Sequence, residues 1–496
     1  MKENFLFYLL VFLLILKGNT QEKVYQTNLN SDDKFFNKDQ SFSVSNQTND
    51  DLLLVFFRKN GIEGILLDEN FEEKKKFSGD PLPSKYKNFA GYQVTDQQYS
   101  VILTNGNKNK FGILKFDAKT GSFEEKTLDF KLNDERFLDY VVHKNNLFFL
   151  TVVTGTSTLN IYTFDQDFIP TKKTYSLRII EHPNRYRPDE KRTLFSMLNP
   201  LVGSIGEHDF LNYSKVYPNE PNSLESTYKE IKLYHSGENL ILSVDSNIEI
   251  LHLFTLDLKT LNLQYKSFPK LTEKEDYKKN NSLVYNNYLF FLSSSPRKFK
   301  FQIYNLETTS FIKEYSLSSD EIISFKNSPI IEENGAYSDY REMEKAKKFL
   351  RKISVGELAV SVHKKDNCYT ILMGGVLEIM NSGGFGFPNM NSFGESINIK
   401  TPDGKTLNIP NLAYQPFARN YYSYNYSNRV TYIKCLFDNQ FNHIDGEIPL
   451  TYFDSLKEFE EDLIKPKLIN IFKHSNSTFY GYLDSDSGNY SLYKFE

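Results

Sequence analysis

The 496-residue chain has no tryptophan, only two cysteines and no large excess of either charge. Two cysteines exclude a disulfide-rich scaffold, although one bridge between Cys368 and Cys435 would form in an oxidising compartment. Two free buried thiols are the alternative. Because 59 basic residues nearly balance 63 acidic ones, giving a net charge of −4, nucleic acid is not an expected partner.

The common catalytic and metal-binding motifs are also missing. The sequence contains no H-E-x-x-H, no G-x-S-x-G, no Walker loop and no C-x-x-C, and its eight histidines lack metal-ligand spacing. We therefore expect no metal and no cofactor, and the sequence identifies no catalytic residue.

The longest apolar run lies at the N-terminus, from Phe5 to Leu16 after Lys2. Twelve residues span only about 18 Å as a helix, whereas the hydrocarbon layer is roughly 30 Å thick. The run therefore predicts a signal peptide over residues 1–20 and export to the periplasm or the extracellular space. We expect the mature chain to have no transmembrane segment.

Aromatic residues are abundant, at 15% of the chain, and they recur in a repeated unit. One copy reads Phe111-Gly-Ile-Leu-Lys-Phe-Asp117, a strand that ends at an acidic turn, and a second strand follows. The turn positions of the copies are Asp68, Asp117, Asp165, Asp257, Asn305 and Asp438. The shorter intervals between them are roughly 48 residues, enough for four strands. We expect these side chains to form turns by accepting backbone hydrogen bonds.

The repeat predicts an all-β fold, a seven-bladed β-propeller formed by residues 21–496 as a single monomeric domain. The last unit stops after its third strand, and residues 22–29 resemble the fourth strands of other units. The N-terminal strand would then close the ring. Six or eight blades, or a β-sandwich with added helices, are the alternatives.

The repeat resembles those of bacterial repeat propellers of the broad WD40-like and TolB-like kind. Thr401-Pro-Asp-Gly-Lys405 is similar to the S-P-D-G-K signature of TolB-like repeats, but it occurs once, and the Trp-Asp pair of WD40 blades is absent. The resemblance implies a fold and no particular function.

Four additions interrupt the repeat, and strand direction places all of them on one face. They cover residues 178–230, 318–357, 374–429 and 450–466. Two short helices are expected in them, one capped by Asp339 with Glu342 and one capped by Ser455 with Glu458.

Two of the additions contain candidate binding residues. Aromatic side chains in a Gly- and Asn-rich loop can bind a protein or a glycan, and arginines can bind carboxylates. The candidates are Arg185, Arg187, His208, Phe385, Phe387, Tyr421, Tyr422 and Tyr424. The favoured function is an exported, non-enzymatic binding or scaffold protein that engages a protein or surface polymer through this face. The alternative is a carbohydrate-active propeller, a glycosidase or lyase with carboxylates in its central channel.

Overall fold

A computed structural model describes most of the chain after residue 20. The described residues are 21–29, 40–58, 61–80, 86, 88–184, 187–199, 212–218, 220–272, 274, 276–335, 338–377, 397–400, 406–409, 428–464 and 466–495. They are nearly all β, arranged in small antiparallel sheets.

The first three sheets each consist of four consecutive strands. Sheet 1 contains β2 (Gln40–Ser45), β3 (Leu52–Arg58), β4 (Gly61–Leu67) and β5 (Glu73–Gly79). Sheet 2 contains β6 (Asn88–Thr95), β7 (Gln98–Thr104), β8 (Phe111–Asp117) and β9 (Phe123–Leu128). Sheet 3 contains β10 (Glu135–His143), β11 (Asn146–Val153), β12 (Thr158–Phe164) and β13 (Pro170–Ser176).

Sheets 4 and 5 continue the series, and a parallel strand is added beside the first strand of sheet 4. Sheet 4 contains β16 (Ser214–Val216), β17 (Ile231–Ser236), β18 (Asn239–Val244), β19 (Ile250–Asp257) and β20 (Leu263–Pro269). Sheet 5 contains β21 (Lys279–Tyr285), β22 (Tyr288–Ser294), β23 (Lys298–Asn305) and β24 (Phe311–Ser318).

Sheets 6 and 7 depart from chain order. Sheet 6 has the order β26 (Ser338–Met343), β25 (Ile330–Gly335), β31 (Arg429–Phe437), β28 (Cys368–Leu377) and β27 (Glu357–Lys365). Sheet 7 contains β32 (Pro466–His474), β33 (Ser477–Asp484), β34 (Asn489–Phe495) and the N-terminal strand β1 (Gln21–Asn28), which pairs antiparallel with β34. Residues from the two ends of the chain therefore share one sheet.

Two hairpins and five short helical elements complete the described residues. The hairpins are β14 (His182–Asn184) with β15 (Arg187–Arg192), and β29 (Ile397–Lys400) with β30 (Thr406–Ile409). The α-helices are α1 (Leu194–Leu198), α2 (Ala346–Val355) and α3 (Tyr452–Glu461), and 3₁₀ turns occupy Arg178–Ile180 and Leu224–Ser226. Within the described ranges, no helix has the length and apolar character needed to span a bilayer.

Neighbouring sheets share buried aromatic and aliphatic cores. Phe56 of sheet 1 packs on Tyr490 of sheet 7, with ring centroids 4.7 Å apart, and Phe111 of sheet 2 packs on Phe149 of sheet 3 at 5.2 Å. Similar clusters join sheets 1 and 2, sheets 3 and 4, and sheets 4, 5 and 6. Burial of both surfaces explains why the second strands are almost continuously apolar.

The turn-forming role of the repeated acids is confirmed. Oδ1 of Asp117 accepts hydrogen bonds from the backbone N–H groups of Lys119 and Thr120, at 2.9 Å each. The other five turn positions accept two backbone hydrogen bonds in the same way. These side chains, five carboxylates and the amide of Asn305, are therefore part of the scaffold.

The two predicted helices exist, but both predicted caps were wrong. Residues 338–343 form strand β26, and α2 begins at Ala346 with no side-chain cap on Lys345. Helix α3 is capped by Thr451 with Asp454 in a capping box, four residues before the predicted pair. Pairing of β26 with β25 overrides the local helix signal around Asp339.

The sequence predicted both helices in additions on one face of the molecule. Each helix instead packs against a sheet. Phe349 and Ile353 of α2 belong to the core that joins sheets 5 and 6. Phe453, Leu456 and Phe459 of α3 pack on the surface of sheet 7 that faces away from sheet 1. Helix α3 therefore covers the flat surface of a sheet.

Candidate functional site

Most of the predicted binding residues lie outside the described residues. These are Arg185, His208, Phe385, Phe387, Tyr421, Tyr422 and Tyr424. Arg187 is the first residue of β15 and pairs with Asn184 in the hairpin. The structure therefore leaves these candidates as predictions.

Three of the four additions connect strands at the same edge. We call this the insert edge: it is where the first strand of each sheet begins and its second strand ends. Residues 178–230 and 318–357 join one sheet to the next there, and 374–429 joins β28 to β31. The fourth addition, 450–466, instead runs from the opposite edge, where β31 ends, to the insert edge, where β32 begins, because β25 has taken the place of a fourth strand beside β31.

Exposed aliphatic side chains mark the insert edge. Ile248 lies between β18 and β19 and is 72% exposed, and Ile322 follows β24 and is 89% exposed. Ile179, Val355 and Ile464 are exposed in other connections at this edge. Among the described residues, the exposed apolar side chains at the opposite edge are Ile169 and Leu450, together with Phe311 and Ile312 at the start of β24.

Part of the 178–230 addition runs inward instead of lying on a face. We call residues 212–228 the inner segment. It contains β16, which pairs with β17, and Lys215 forms an ion pair of 3.0 Å with Asp139 on β10. Farther along, the carbonyl of Asn222 accepts a hydrogen bond from Ser361 on β27, and Tyr228 O accepts one from Asn281 on β21 at 3.1 Å. The inner segment therefore lies where the first strands of successive sheets converge.

The carboxylates beside the inner segment are already paired. Asp139 is held by Lys215, and Glu220 forms an ion pair of 2.8 Å with Lys473 on β32. Glu225 accepts a hydrogen bond from the backbone N–H of Asn428. Each of these carboxylates ties the inner segment to another part of the chain, which suits a structural role.

A buried ion cluster joins sheets 4 and 5. Asp245 lies 3.4 Å from the Nζ of Lys232 and 3.1 Å from that of Lys270, and it accepts a 2.6 Å hydrogen bond from Ser282. All three charged side chains are almost completely buried. Burial lowers the pKa of Lys232, and the two ammonium groups and Ser282 keep the pKa of Asp245 below its usual value despite burial. One carboxylate therefore neutralises part of the charge of two buried cations.

Sheet 6 differs on its two surfaces. The surface towards sheet 5 is apolar and includes Val362, Ile371 and Cys435. The other surface has two rows across β27, β28 and β31, which are Ser361–Leu372–Lys434 and His363–Thr370–Leu436. Polar side chains therefore interrupt this surface in these two rows, whereas Ala359, Val376 and Tyr432 farther along the strands pack in an apolar cluster with Leu224 and Tyr228.

This polar surface lines a cavity of about 80 Å³. Its other walls are Pro221 and Asn222 of the inner segment, the stretch 448–451, and Asp454 of α3. The cavity lies between sheet 6 and the residues that lead into sheet 7, where no apolar cluster among the described residues spans the two sheets. We call it the sheet-6 cavity.

Three buried polar atoms without hydrogen-bond partners belong to a residue of the cavity wall, His363, or to the chain neighbours of wall residues, Glu220 and Tyr452. They are Nδ1 of His363, Oε2 of Glu220 and the hydroxyl of Tyr452, the last two next to Lys473. Burial, with smaller contributions from Lys365 and Lys473, lowers the pKa of His363 to about 4, so its ring is neutral at pH 7. Burial also raises the pKa of Glu220.

Both cysteines are free, so the predicted bridge is absent. Cys435 on β31 pairs with Ile371, and Cys368 lies three residues earlier on β28, paired with Lys365. Cys435 is buried, and desolvation raises the pKa of its thiol well above the usual value. The alternative of two free thiols is the correct one, although only Cys435 is fully buried.

No protein-family model and no curated protein matches the sequence. Solved structures that resemble it include the WD40 domain of SCAP from fission yeast, with 10% identity and a TM-score of 0.26, covering 89% of this chain and 81% of that one. The N-terminal domain of Nup159 has 9% identity and a TM-score of 0.27, covering 96% and 95%. The SapL1 lectin in complex with alpha methyl fucoside has 9% identity and a TM-score of 0.23, covering 70% and 95%. Likenesses at these scores carry no argument about function.

Proposed function

We propose that this chain is an exported binding or scaffold protein whose sheets close into a seven-bladed propeller and whose insert edge engages a protein or surface polymer. The observation that carries the proposal is the position of the additions, since residues 178–230, 318–357 and 374–429 all begin and end at one edge. Loops that extend from one edge of a rigid scaffold are the usual carriers of binding residues.

The blade count is supported by the sheets themselves. The described residues form seven sheets of four or five strands, and β1 completes the sheet that contains the C-terminal strand. Pairing the first and last strands removes two open edges and resists opening of the ring.

The exposed aliphatic residues indicate a protein partner. Ile248 and Ile322 remain largely exposed although each would gain about 1.5–3 kcal/mol from full burial. A protein partner that covers these side chains would remove their apolar surface from water.

Site-specific photocrosslinking tests the proposal. A photoreactive amino acid is placed at Ile248 or Ile322 on the insert edge, or at Ile169 or Leu450 as matched exposed controls on the opposite edge. In the producing cells we expect crosslinked species from positions 248 and 322 and not from 169 or 450. Crosslinks confined to the opposite edge, or absent from all four positions, would contradict the proposal.

Export is tested separately by the mass of the protein recovered outside the cytoplasm. A mature chain that begins near Gln21 supports the predicted signal peptide. A chain that retains residues 1–20 in the cytoplasmic fraction contradicts it.

A further inference from the structure

The sheet-6 cavity has a volume of about 80 Å³. Its walls come from three distant parts of the sequence, namely sheet 6, the inner segment and the start of α3. Apolar side chains such as Leu372 and Ile448 share these walls with polar ones, and a cavity of this size has room for several water molecules or for one small ligand.

Some polar groups in its walls are already used by the fold. Ser361 donates to the carbonyl of Asn222, and the side chain of Asn222 donates to the carbonyls of Tyr217 and Glu220. The carboxylate of Asp454 accepts hydrogen bonds from the backbone N–H and the hydroxyl of Thr451, the N-cap residue of α3. These hydrogen bonds hold the walls of the cavity together.

Three other groups in the walls have no partner for their side chains among the described residues. They are the ammonium of Lys434, the hydroxyl of Thr370 and Nδ1 of His363, of which the last is buried. Lys434 and Thr370 lie on adjacent rows of the same surface, on neighbouring strands β31 and β28. Leaving a buried polar atom without a hydrogen-bond partner is unfavourable, so a ligand that hydrogen-bonds to it relieves that cost.

The character of these groups defines the ligand. An ammonium and a hydroxyl donate hydrogen bonds, and a neutral imidazole can donate through Nδ1. Such a donor set matches an oxyanion, whose oxygens only accept. We propose that the sheet-6 cavity binds a small molecule through its carboxylate or phosphate group, with Lys434, Thr370 and His363 as donors.

The site is independent of the proposed binding at the insert edge. His363 and Thr370 lie next to the β27–β28 turn, at the opposite edge of sheet 6. A small anion could therefore occupy the cavity while a larger partner occupies the insert edge.

Isothermal titration calorimetry with inorganic phosphate and, separately, with acetate tests the proposal. We expect saturable binding of at least one anion to the mature protein, and the anion that binds identifies the oxyanion class. Lys434→Met should weaken this binding at least tenfold, and Thr370→Val, which preserves shape, should weaken it several-fold. Lys115→Met is the matched control, because Lys115 is a partly buried lysine on the third strand of sheet 2.

Two results would overturn the proposal. One is the absence of saturation by either anion up to about 10 mM. The other is equal binding by wild type, Lys434→Met and Thr370→Val, which would place the anion elsewhere. Far-UV circular dichroism of each variant verifies that it is folded before titration.

Discussion

Replacement of Asp245 by Asn should destabilise the protein far more than replacement of either neighbouring lysine. Asp245 is the carboxylate between the buried ammonium groups of Lys232 and Lys270, at 3.4 and 3.1 Å. Asp245→Asn keeps the shape but leaves two buried cations without a counter-charge. Removal of one partner from a buried ion pair lowers the free energy of unfolding by about 3–5 kcal/mol. Because two cations lose their counter-charge here, we expect a loss at the upper end of that range.

Lys232→Met, in contrast, should leave the free energy of unfolding nearly unchanged or raise it. The side chain of Lys232 is completely buried, and Met fills a similar volume without a charge to desolvate. Lys270 still pairs with Asp245 in this variant. We therefore expect a change within about 1 kcal/mol of wild type, or a gain in stability.

Urea denaturation followed by far-UV circular dichroism measures both free energies of unfolding. Asp276→Asn is the control, because Asp276 forms an exposed, solvent-screened pair with Lys298 whose loss should have little effect on stability. The reasoning is refuted if Asp245→Asn costs no more than Asp276→Asn. It is also refuted if Lys232→Met costs as much as Asp245→Asn.

Two further predictions concern pH and the repeated turns. Burial holds the pKa values of His235 and His363 at about 4, below the value near 6.5 of an unfolded chain. The unfolded state therefore binds more protons between these values, and the free energy of unfolding should fall as pH is lowered from about 6.5, by up to about 2 kcal/mol per histidine at pH 5. His235→Gln should flatten this dependence in urea denaturation at several pH values, and an unchanged slope would contradict the assignment. Asp117→Ala removes the acceptor of two backbone hydrogen bonds and should lower the urea midpoint of unfolding measurably. Asp129→Ala, at an exposed position, should stay within about 0.5 kcal/mol in the same assay, and equal effects would argue against the turn role.

The sheets and their turns could be predicted because they depend on local signals. Alternating or continuous apolar runs specify the strands, and an Asp or Asn at the end of the third strand in six of the sheets specifies the turn that follows. The same signals repeat along the chain, so an error in one copy is corrected by the others.

The composition of sheet 6 could not be predicted in this way. Strand β25 lies before β27 in sequence but pairs with β31, which follows it after the addition at 374–429. Such a pairing depends on contacts between distant residues, and no local pattern around Ile330 specifies it. Competition from strand pairing also explains why the helix predicted at Asp339 begins later.

The sheet-6 cavity was missed although part of its signal is visible in the sequence. Ser361 and His363 alternate with Val360 and Val362, which indicates a strand with one polar surface. The repeat indicates that both surfaces of a sheet are covered by neighbours. Together the two facts point to a buried polar surface, but the contributions of Asn222 and Asp454 come from residues far away in sequence.

Closure of the ring through β1 and β34 is the central claim, and an engineered disulfide tests it most directly. Gln26 and Ser491 are paired in register, so Gln26→Cys with Ser491→Cys has the Cα separation that a disulfide requires. In a Cys368→Ser background we expect spontaneous oxidation of this pair. The bridge should stabilise the protein by up to about 5 kcal/mol, the upper end of the observed range for disulfides, because it closes a loop that includes nearly the whole chain. Gln26→Cys with Asn489→Cys, two residues out of register, should remain reduced. Failure of the matched pair to oxidise, or equal oxidation of both pairs, would contradict the closed ring.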